Sequence, residues 1–592
     1  MLRHVSALVL GFVFSTTVAA EQAADSVAPE LGGAGQQALS QAVQDAQAAK
    51  AAGIPVHAKD WMVVAANPYA AEAGARVLRA GGTAADAAIA VQVVLGLVEP
   101  QSSGLGGGAF VVWYDAATEQ LTTLDGRETA PLQATPRLFQ DEKGEPLKFF
   151  DAVVGGRSVG TPGTPALLDT LHKRWGNQPW PELFDDAITL ADQGFEVSQR
   201  MAASVARDAD RLARFPATAD YFLRGGEPVQ EGDTLRNADY AATLRTLADH
   251  GAGAFYAGPI AQDVVQTVRT APGNPGVLSL LDMSIYQVKE RDAVCSAYLT
   301  YQVCGMGPPS SGALTVGQIL GMAQHHDLSA GPDDPQVLRI LGDVSRLAFM
   351  DRAVYMADSD FVPVPTKGLL DAEYLKERAA LLNGTRLQDV SPGNPKFDHA
   401  SNWAPDESLE LPSTSHVSIV DSYGNALSMT TTIENGFGSR LFVRGFLLNN
   451  ELTDFSFRSH RGGTPIANRV EPGKRPRSSM APTIVMQDGK PVLVTGSPGG
   501  SMIIGYVARS IIAWANWGLD VQQAASLPHR INRFGRYDVE EGPGAKTVVK
   551  LLEGIGYPVK TGAMTSGLGM IQIGDGLTGG ADPRREGIAL GQ

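Results

Sequence analysis

The chain has 592 residues, a formal net charge of −15, 44% hydrophobic content, 66 glycines, 36 prolines and two cysteines. That length permits several domains or one large α/β body, and the glycines and prolines imply many turns. The acidic balance removes counterion release as a binding force, which argues against nucleic acid as a partner.

At the N-terminus, Arg3 and His4 precede an apolar run from Val5 to Phe14, and Val18-Ala19-Ala20 puts small residues before Glu21. This is the pattern of a secretory signal peptide over 1–20. The apolar run is shorter than the roughly 20 residues that a bilayer requires, and no later uninterrupted apolar stretch reaches that length. The expectation is an exported protein, periplasmic or secreted, with no stable membrane span. Residues 21–56 are rich in Ala, Gln and Gly and poor in large apolar side chains, a composition that fits a flexible leader or a surface helix.

The texture changes at Trp61. Met62–Ala66 reads as a strand, and Pro68–Leu78 and Thr83–Val98 read as helices separated by Gly81-Gly82. Ala109–Tyr114 reads as a strand, so the glycine cluster 104–108 before it is not a dinucleotide fingerprint, which would require a helix there. Gly160-Thr161-Pro162-Gly163-Thr164 lacks the Lys-Ser/Thr of a P-loop and reads as a turn before a helix. Helical patterns follow near 163–175, 181–194, 239–250, 258–270, 312–327 and 335–357. The two cysteines, Cys295 and Cys304, would face each other in a hairpin turning at Leu299-Thr300, a spacing that leaves a disulfide and a reduced pair both open. Neither has the local His, Lys or helix start that would make it a reactive thiol.

From Ser413 the pattern becomes β-rich, with runs at 416–421, 426–432, 446–449, 482–487 and 491–495 bounded by turns such as Tyr423-Gly424-Asn425. Helices return at 502–514, 521–526 and 547–552. Strands grouped between helical sections fit a layered sandwich better than an alternating barrel. The ten histidines show no metal-ligand spacing.

Thr414 stands where a hydroxyl opens a strand, in Ser413-Thr414-Ser415-His416. If the bond between Ser413 and Thr414 is cut, Thr414 gains an α-amine with a reference pKa of about 7.7–8.0, near enough to neutrality to act as base for its own hydroxyl. Taken alone, these residues also fit an ordinary strand start. Gly496-Ser497-Pro498-Gly499-Gly500-Ser501 joins an apolar run to an apolar helix, where exposed N–H groups suit an oxyanion and a bare turn fits equally well. Arg127 and the Arg475–Met480 run offer guanidinium groups and hydroxyls, which suit a substrate carboxylate, and each taken singly also fits a surface charge or a turn. Glu451 and Asp454 follow an apolar strand, where they suit a substrate ammonium and where plain solvation also accounts for acids.

Together these segments resemble the gamma-glutamyltransferase (gamma-glutamyltranspeptidase) family of N-terminal nucleophile hydrolases. The anchors are Ala66–Gly108, Arg127–Pro131, Gly160–Thr164, Pro308–Gly312, Thr414–His416, Leu448–Glu451, Lys474–Met480 and Gly496–Gly500. The resemblance implies an α/β fold, a four-layer αββα sandwich, made from a precursor that cuts itself at Ser413-Thr414. A large subunit, 57–413, and a small subunit, 414–592, would stay associated. It implies Thr414 as nucleophile, Thr432 hydrogen-bonded to it, and the amides of Gly499 and Gly500 as the oxyanion hole. Arg127, Ser478 and Ser479 would hold an α-carboxylate, and Asp454 with Glu434 and Glu451 an α-ammonium. The substrates implied are glutathione and other gamma-glutamyl compounds, with water, amino acids or peptides as acceptors, and no metal or organic cofactor.

The chain departs from common family patterns in Ser415, in the acids Glu434 and Glu451, in Arg477 before the serine pair, and in residues 456–472, whose composition does not favour a lid. Two rivals remain: a glutaryl or cephalosporin acylase of the same family, whose substrate has no α-amine, and a catalytically silent exported binding protein.

Overall fold

A computed structural model describes residues 40–399, 402–406, 408, 411 and 413–592. The signal-peptide segment 1–20 lies outside the described residues. Of the leader 21–56, Gln41–Ala51 is a helix with Val43 and Ala46 buried, and Lys50 Nζ donates to the carbonyls of Arg585 and Gly587 at 2.7 Å. This part of the leader is therefore a docked helix, not a flexible arm, because two apolar side chains and one lysine find partners in the C-terminal segment.

Two seven-stranded antiparallel sheets form the centre. The first runs, edge to edge, Ile588–Gly591, Met62–Ala65, Thr414–Val420, Ala426–Thr432, Gly108–Asp115, Gln120–Gly126 and Lys289–Arg291. The second runs Val56–Ala58, Leu577–Ala581, Gly569–Ile573, Lys490–Gly496, Thr483–Gln487, Tyr301–Gly305 and Val294–Tyr298.

Strand alternation sorts side chains between layers. Met62, Val64, Val112, Ile484, Val494 and Ile571 pack between the sheets. Val63, Val111, Val417, Ile419 and Met429 point the other way, against the helices Pro68–Arg79 and Ala84–Val98. On the far side, Val303, Val485, Leu493 and Met570 meet Gly312–Ala323, Pro335–Tyr355 and Ile503–Ala515. Helix, sheet, sheet and helix stack in that order, giving the αββα sandwich.

Local sequence explains the placing of the first helices. Asn67 accepts from Tyr69 N ahead of Pro68, and Thr83 and Asp86 form a reciprocal capping box. Every residue of Ala84–Val98 is buried, as expected of a helix that is apolar on all faces. The patterned helices and strands lie within a few residues of their expected positions, and the Thr414 strand starts earlier, at the hydroxyl itself. Not anticipated were the helix Gln199–Leu212 and the strands Gly569–Ile573, Leu577–Ala581 and Ile588–Gly591. The middle one, Leu-Thr-Gly-Gly-Ala, has little β propensity and owes its conformation to pairing with neighbours on either side.

Cys295 and Cys304 are paired in register in the hairpin, with Tyr298 opposite Tyr301, and their sulfurs are bonded. They sit at the sheet edge, away from Thr414. No helix among the described residues is long and apolar enough to cross a membrane.

Trp113, buried on its strand, stacks on Trp175 at the end of a helix with centroids 4.7 Å apart. Trp113→Ala should cost about 3–5 kcal/mol of stability, read as a lowered urea midpoint.

Candidate active site

The pairing of Thr414–Val420 with Ala426–Thr432 puts Thr414 opposite Thr432 at one end of the sheet. Both side chains fall on the face toward the second sheet. Thr414 Oγ1 donates to Thr432 Oγ1 at 3.3 Å, and Thr432 Oγ1 donates to the Ser413 carbonyl at 2.8 Å while accepting from Glu434 N at 2.8 Å. One hydroxyl therefore touches both the threonine and the carbonyl preceding it. Ser413 Oγ donates to the Gln101 carbonyl, and Arg585 Nη1 donates to the Thr414 carbonyl at 2.7 Å.

His416 is not part of this chemistry. Its ring contacts Thr430 Oγ1 at 2.9 Å and Ser418 Oγ at 3.0 Å, and burial lowers its pKa to about 3. It is a neutral core histidine, and a neutral ring with both nitrogens engaged offers Thr414 no general base.

A cavity is lined by Thr414, Thr432, Arg127, Glu434, Glu451, Asp454, Ser478, Ser479 and Gly500, together with Leu411, Met480 and Ile503. Nine residues expected at the site thus share one wall. Gly499 adjoins it at φ 137°, where a Cβ would come within 2.6 Å of the Tyr506 ring. With Gly500 at φ 57°, this turn adopts backbone that side chains disfavour at the entry to the helix Ile503–Ala515.

Arg127 is buried and forms ion pairs with Glu451 through Nη1 and with Asp454 through Nη2. Nη2 also donates to the Arg477 carbonyl at 2.9 Å. Burial works against its cation, but Glu451 and Asp454 outweigh burial and raise its pKa. Its backbone is held from both sides: its N–H donates to Asp125 Oδ1 at 2.9 Å and its carbonyl accepts from Tyr286 at 2.8 Å.

Asn449 and Asn450 brace the backbone around Glu451 and one of the acids, Glu434. Asn449 bonds the carbonyls of Gly106 (2.7 Å) and Gly160 (2.9 Å) and accepts from Glu451 N (3.0 Å). Asn450 Nδ2 donates to Glu434 Oε2 and to Thr453 Oγ1. Glu434 has φ 77°, a costly backbone conformation for a side-chain-bearing residue. Burial, then Asp454 and Glu451, push its carboxyl well above its ordinary value.

Two neighbours had no role in the sequence reading. Glu128 is buried beside the cluster, and burial followed by the charge of Glu451 raises its carboxyl well above the ordinary value; its position next to Arg127 was the available signal. Arg585 lies far along the chain and carried none. Ser479 Oγ accepts from Arg352 Nη2 at 2.7 Å, and Ser478 Oγ accepts from Met480 N at 3.1 Å. Arg477 is buried and pairs with Asp406 at 3.1 Å, on the segment leading to Ser413. No pocket-lining residue comes from 456–472, where Phe457 stacks on Phe139. Among the described residues there is no cluster of His, Cys, Asp and Glu that could hold a metal ion.

The layered fold, with a threonine opening a central strand into the cleft, is that of an N-terminal nucleophile hydrolase. A cephalosporin acylase from Bacillus halodurans has the same fold, with TM-score 0.80, 24% identity and coverage of 91% of this chain and 97% of the other. A family model described as Gamma-glutamyltranspeptidase matches residues 70–592, and the chain belongs to that family. It is 37% identical over 548 residues to a glutathione hydrolase proenzyme of Bacillus subtilis strain 168, covering 90% of this chain and 92% of the relative. The gamma-glutamyltranspeptidase of Helicobacter pylori is 34% identical with TM-score 0.54, covering 57% of this chain and 96% of that one.

Because the Glu128 carboxyl has a folded-state pKa raised above 4.5, its stabilising contribution is complete below that value and is lost as pH rises toward the folded pKa. Glu128→Gln does not titrate. The variant's melting temperature should therefore gain on the wild type as pH increases from 4 to 8, measured in thermal melts across that range.

Proposed function

We propose that the protein is a gamma-glutamyltransferase and glutathione hydrolase whose precursor cuts itself at Ser413-Thr414. The observation that carries this reading is one cavity holding Thr414, a buried arginine and three acids, Glu434, Glu451 and Asp454. A gamma-glutamyl group has a carboxylate and an ammonium on one carbon, and its two charges can replace the internal ion pairs of Arg127. The exchange keeps each buried charge compensated. Family membership and the glutathione hydrolase name of the Bacillus subtilis relative agree with it.

In the uncut chain, Thr432 donates to the Ser413 carbonyl, polarising the carbon that Thr414 Oγ1 attacks. The new C–O bond forms, the peptide C–N bond breaks with its nitrogen taking a proton, and water then opens the ester to release the Ser413 carboxylate. Thr414 is left with a free α-amine. The segments before and after the cut interleave in both sheets, which supports a large subunit of 57–413 and a small one of 414–592 staying together. Leu411 lines the cavity, and the cut frees the segment carrying it to withdraw.

In turnover, the α-amine takes the proton of Thr414 Oγ1 as the oxygen attacks the γ-carbonyl. The amides of Gly499 and Gly500 receive the oxyanion, the leaving amine takes the proton, and the acyl group passes to water or to an amino acid or peptide amine. Arg127 with Ser478 and Ser479 holds the α-carboxylate; Asp454, Glu434 and Glu451 hold the α-ammonium. None of these steps draws on a metal or organic cofactor. The sequence of residues 1–20 supports export to the periplasm or medium.

The acylase reading has support in the fold shared with a cephalosporin acylase. A glutaryl substrate would leave the acids without an ammonium, and so the acids favour gamma-glutamyl transfer.

Wild-type protein should separate into two bands on denaturing electrophoresis, the smaller beginning at Thr414 on N-terminal sequencing, whereas Thr414→Ala should remain one uncut band. A cut in that variant would contradict the nucleophile. With paired anilide substrates, a γ-glutamyl compound should turn over faster than a glutaryl one. Asp454→Asn should lower kcat/KM about 10- to 150-fold for the γ-glutamyl compound alone, the cost of one charged hydrogen bond; faster glutaryl turnover by the wild type would favour the acylase.

A further inference from the structure

We propose that a second cavity, on the flank of the helix Ile503–Ala515, binds a small carboxylate. It lies between that helix, Pro335–Tyr355 and the strand Arg530–Asn532. Ile319, Leu341 and Ile512 give it an apolar wall, while Arg509, Arg530 and Asn532 give it a polar one.

The polar wall is short of acceptors. Arg509 is 5% exposed, its Nη2 reaches the Pro332 carbonyl at 3.3 Å, and its Nε and Nη1 have no hydrogen-bond partner. Arg530 is 4% exposed; Nη1 donates to the His529 carbonyl at 2.9 Å, and Nε forms an ion pair with Asp333 at 3.4 Å. Asn532 Oδ1 accepts from Gly535 N at 2.9 Å, which fixes the amide with its Nδ2 donors unused.

Two buried guanidinium groups thus face one acid, Asp333, which is itself half exposed at 51%. Glu540, the next acid, is held by Arg584. Burial and then Arg530 lower the Arg509 pKa to about 10, so it remains a cation at neutral pH. Buried donors without acceptors are costly. A planar carboxylate accepts from two guanidinium nitrogens at once, Asn532 can supply a third donor, and a short alkyl group can rest on the apolar wall. Inorganic anions would leave that wall uncovered.

The cavity shares its helix with the catalytic cleft: Ile503 lines the first cavity, and Ala508, Arg509 and Ile512 line the second. The two sites contain different arginines, so their occupancy can be separated by mutation.

The test is isothermal titration calorimetry of sodium butyrate into wild type, Arg509→Met, Asn532→Asp and Arg127→Met. Wild type and Arg127→Met should each show one saturable site with Kd on the order of 1 mM. Arg509→Met should weaken binding by about tenfold or more. Asn532→Asp keeps the acceptor for Gly535 N and adds a negative charge, so it should weaken binding likewise even if Arg509→Met fails to fold. Three results would overturn the assignment: no saturation in the wild type, meaning that water alone fills the cavity; loss in Arg127→Met with retention in Arg509→Met, placing the ligand in the catalytic cleft; or equal affinity for chloride or phosphate.

Discussion

Register between two central strands governs this molecule. Thr414 pairs with Thr432 and Val417 with Met429, and side chains alternate strictly along each strand. A slip of one residue would turn Thr414 into the helix layer and drive Val417 and Ile419 into the space between the sheets. Burial of those apolar residues against Ala84–Val98 therefore holds the hydroxyl at the mouth of the cleft. The same alternation buries His416 between the sheets, where it is kept neutral. Core packing and catalytic geometry are two faces of one strand.

Charge compensation is the second constraint. Arg127 lies beside Glu128, Glu434, Glu451 and Asp454, more acids than a single buried cation can neutralise. The structure relieves this by raising the pKa of Glu128 and Glu434 toward protonation, and by an Asn450 amide that donates to the Glu434 carboxylate. A cluster of this kind costs stability and favours an arriving cation, the reverse of what a purely structural core would select. A ligand carrying both an ammonium and a carboxylate is the one that lets every member keep a partner.

The segment before Ser413 ties these features together. Asp406 holds Arg477, and Asn468 Nδ2 donates to the same carboxylate at 2.8 Å, so the uncut chain occupies positive charge near the serine pair. Arg477 is buried and is not a direct wall of the cavity; its side chain pairs with Asp406 on that segment, while its carbonyl receives Arg127.

The sequence alone determined the patterned elements, the layered class and the residue types of the site, because amphipathic periods, capping residues and glycine turns act over a few residues. Through the family resemblance they carry, its ordered motifs also named candidate site residues. Only the tertiary structure decided the strands Gly569–Ile573, Leu577–Ala581 and Ile588–Gly591, the docking of Gln41–Ala51, and the parts taken by Glu128, Arg585 and Asp406. Each depends on partners far away in the chain. Thr414 itself shows the division: its hydroxyl and position at a strand start are written locally, but what it can attack depends on Arg127, Glu451 and Gly500, brought to one cavity by the stacking of two sheets.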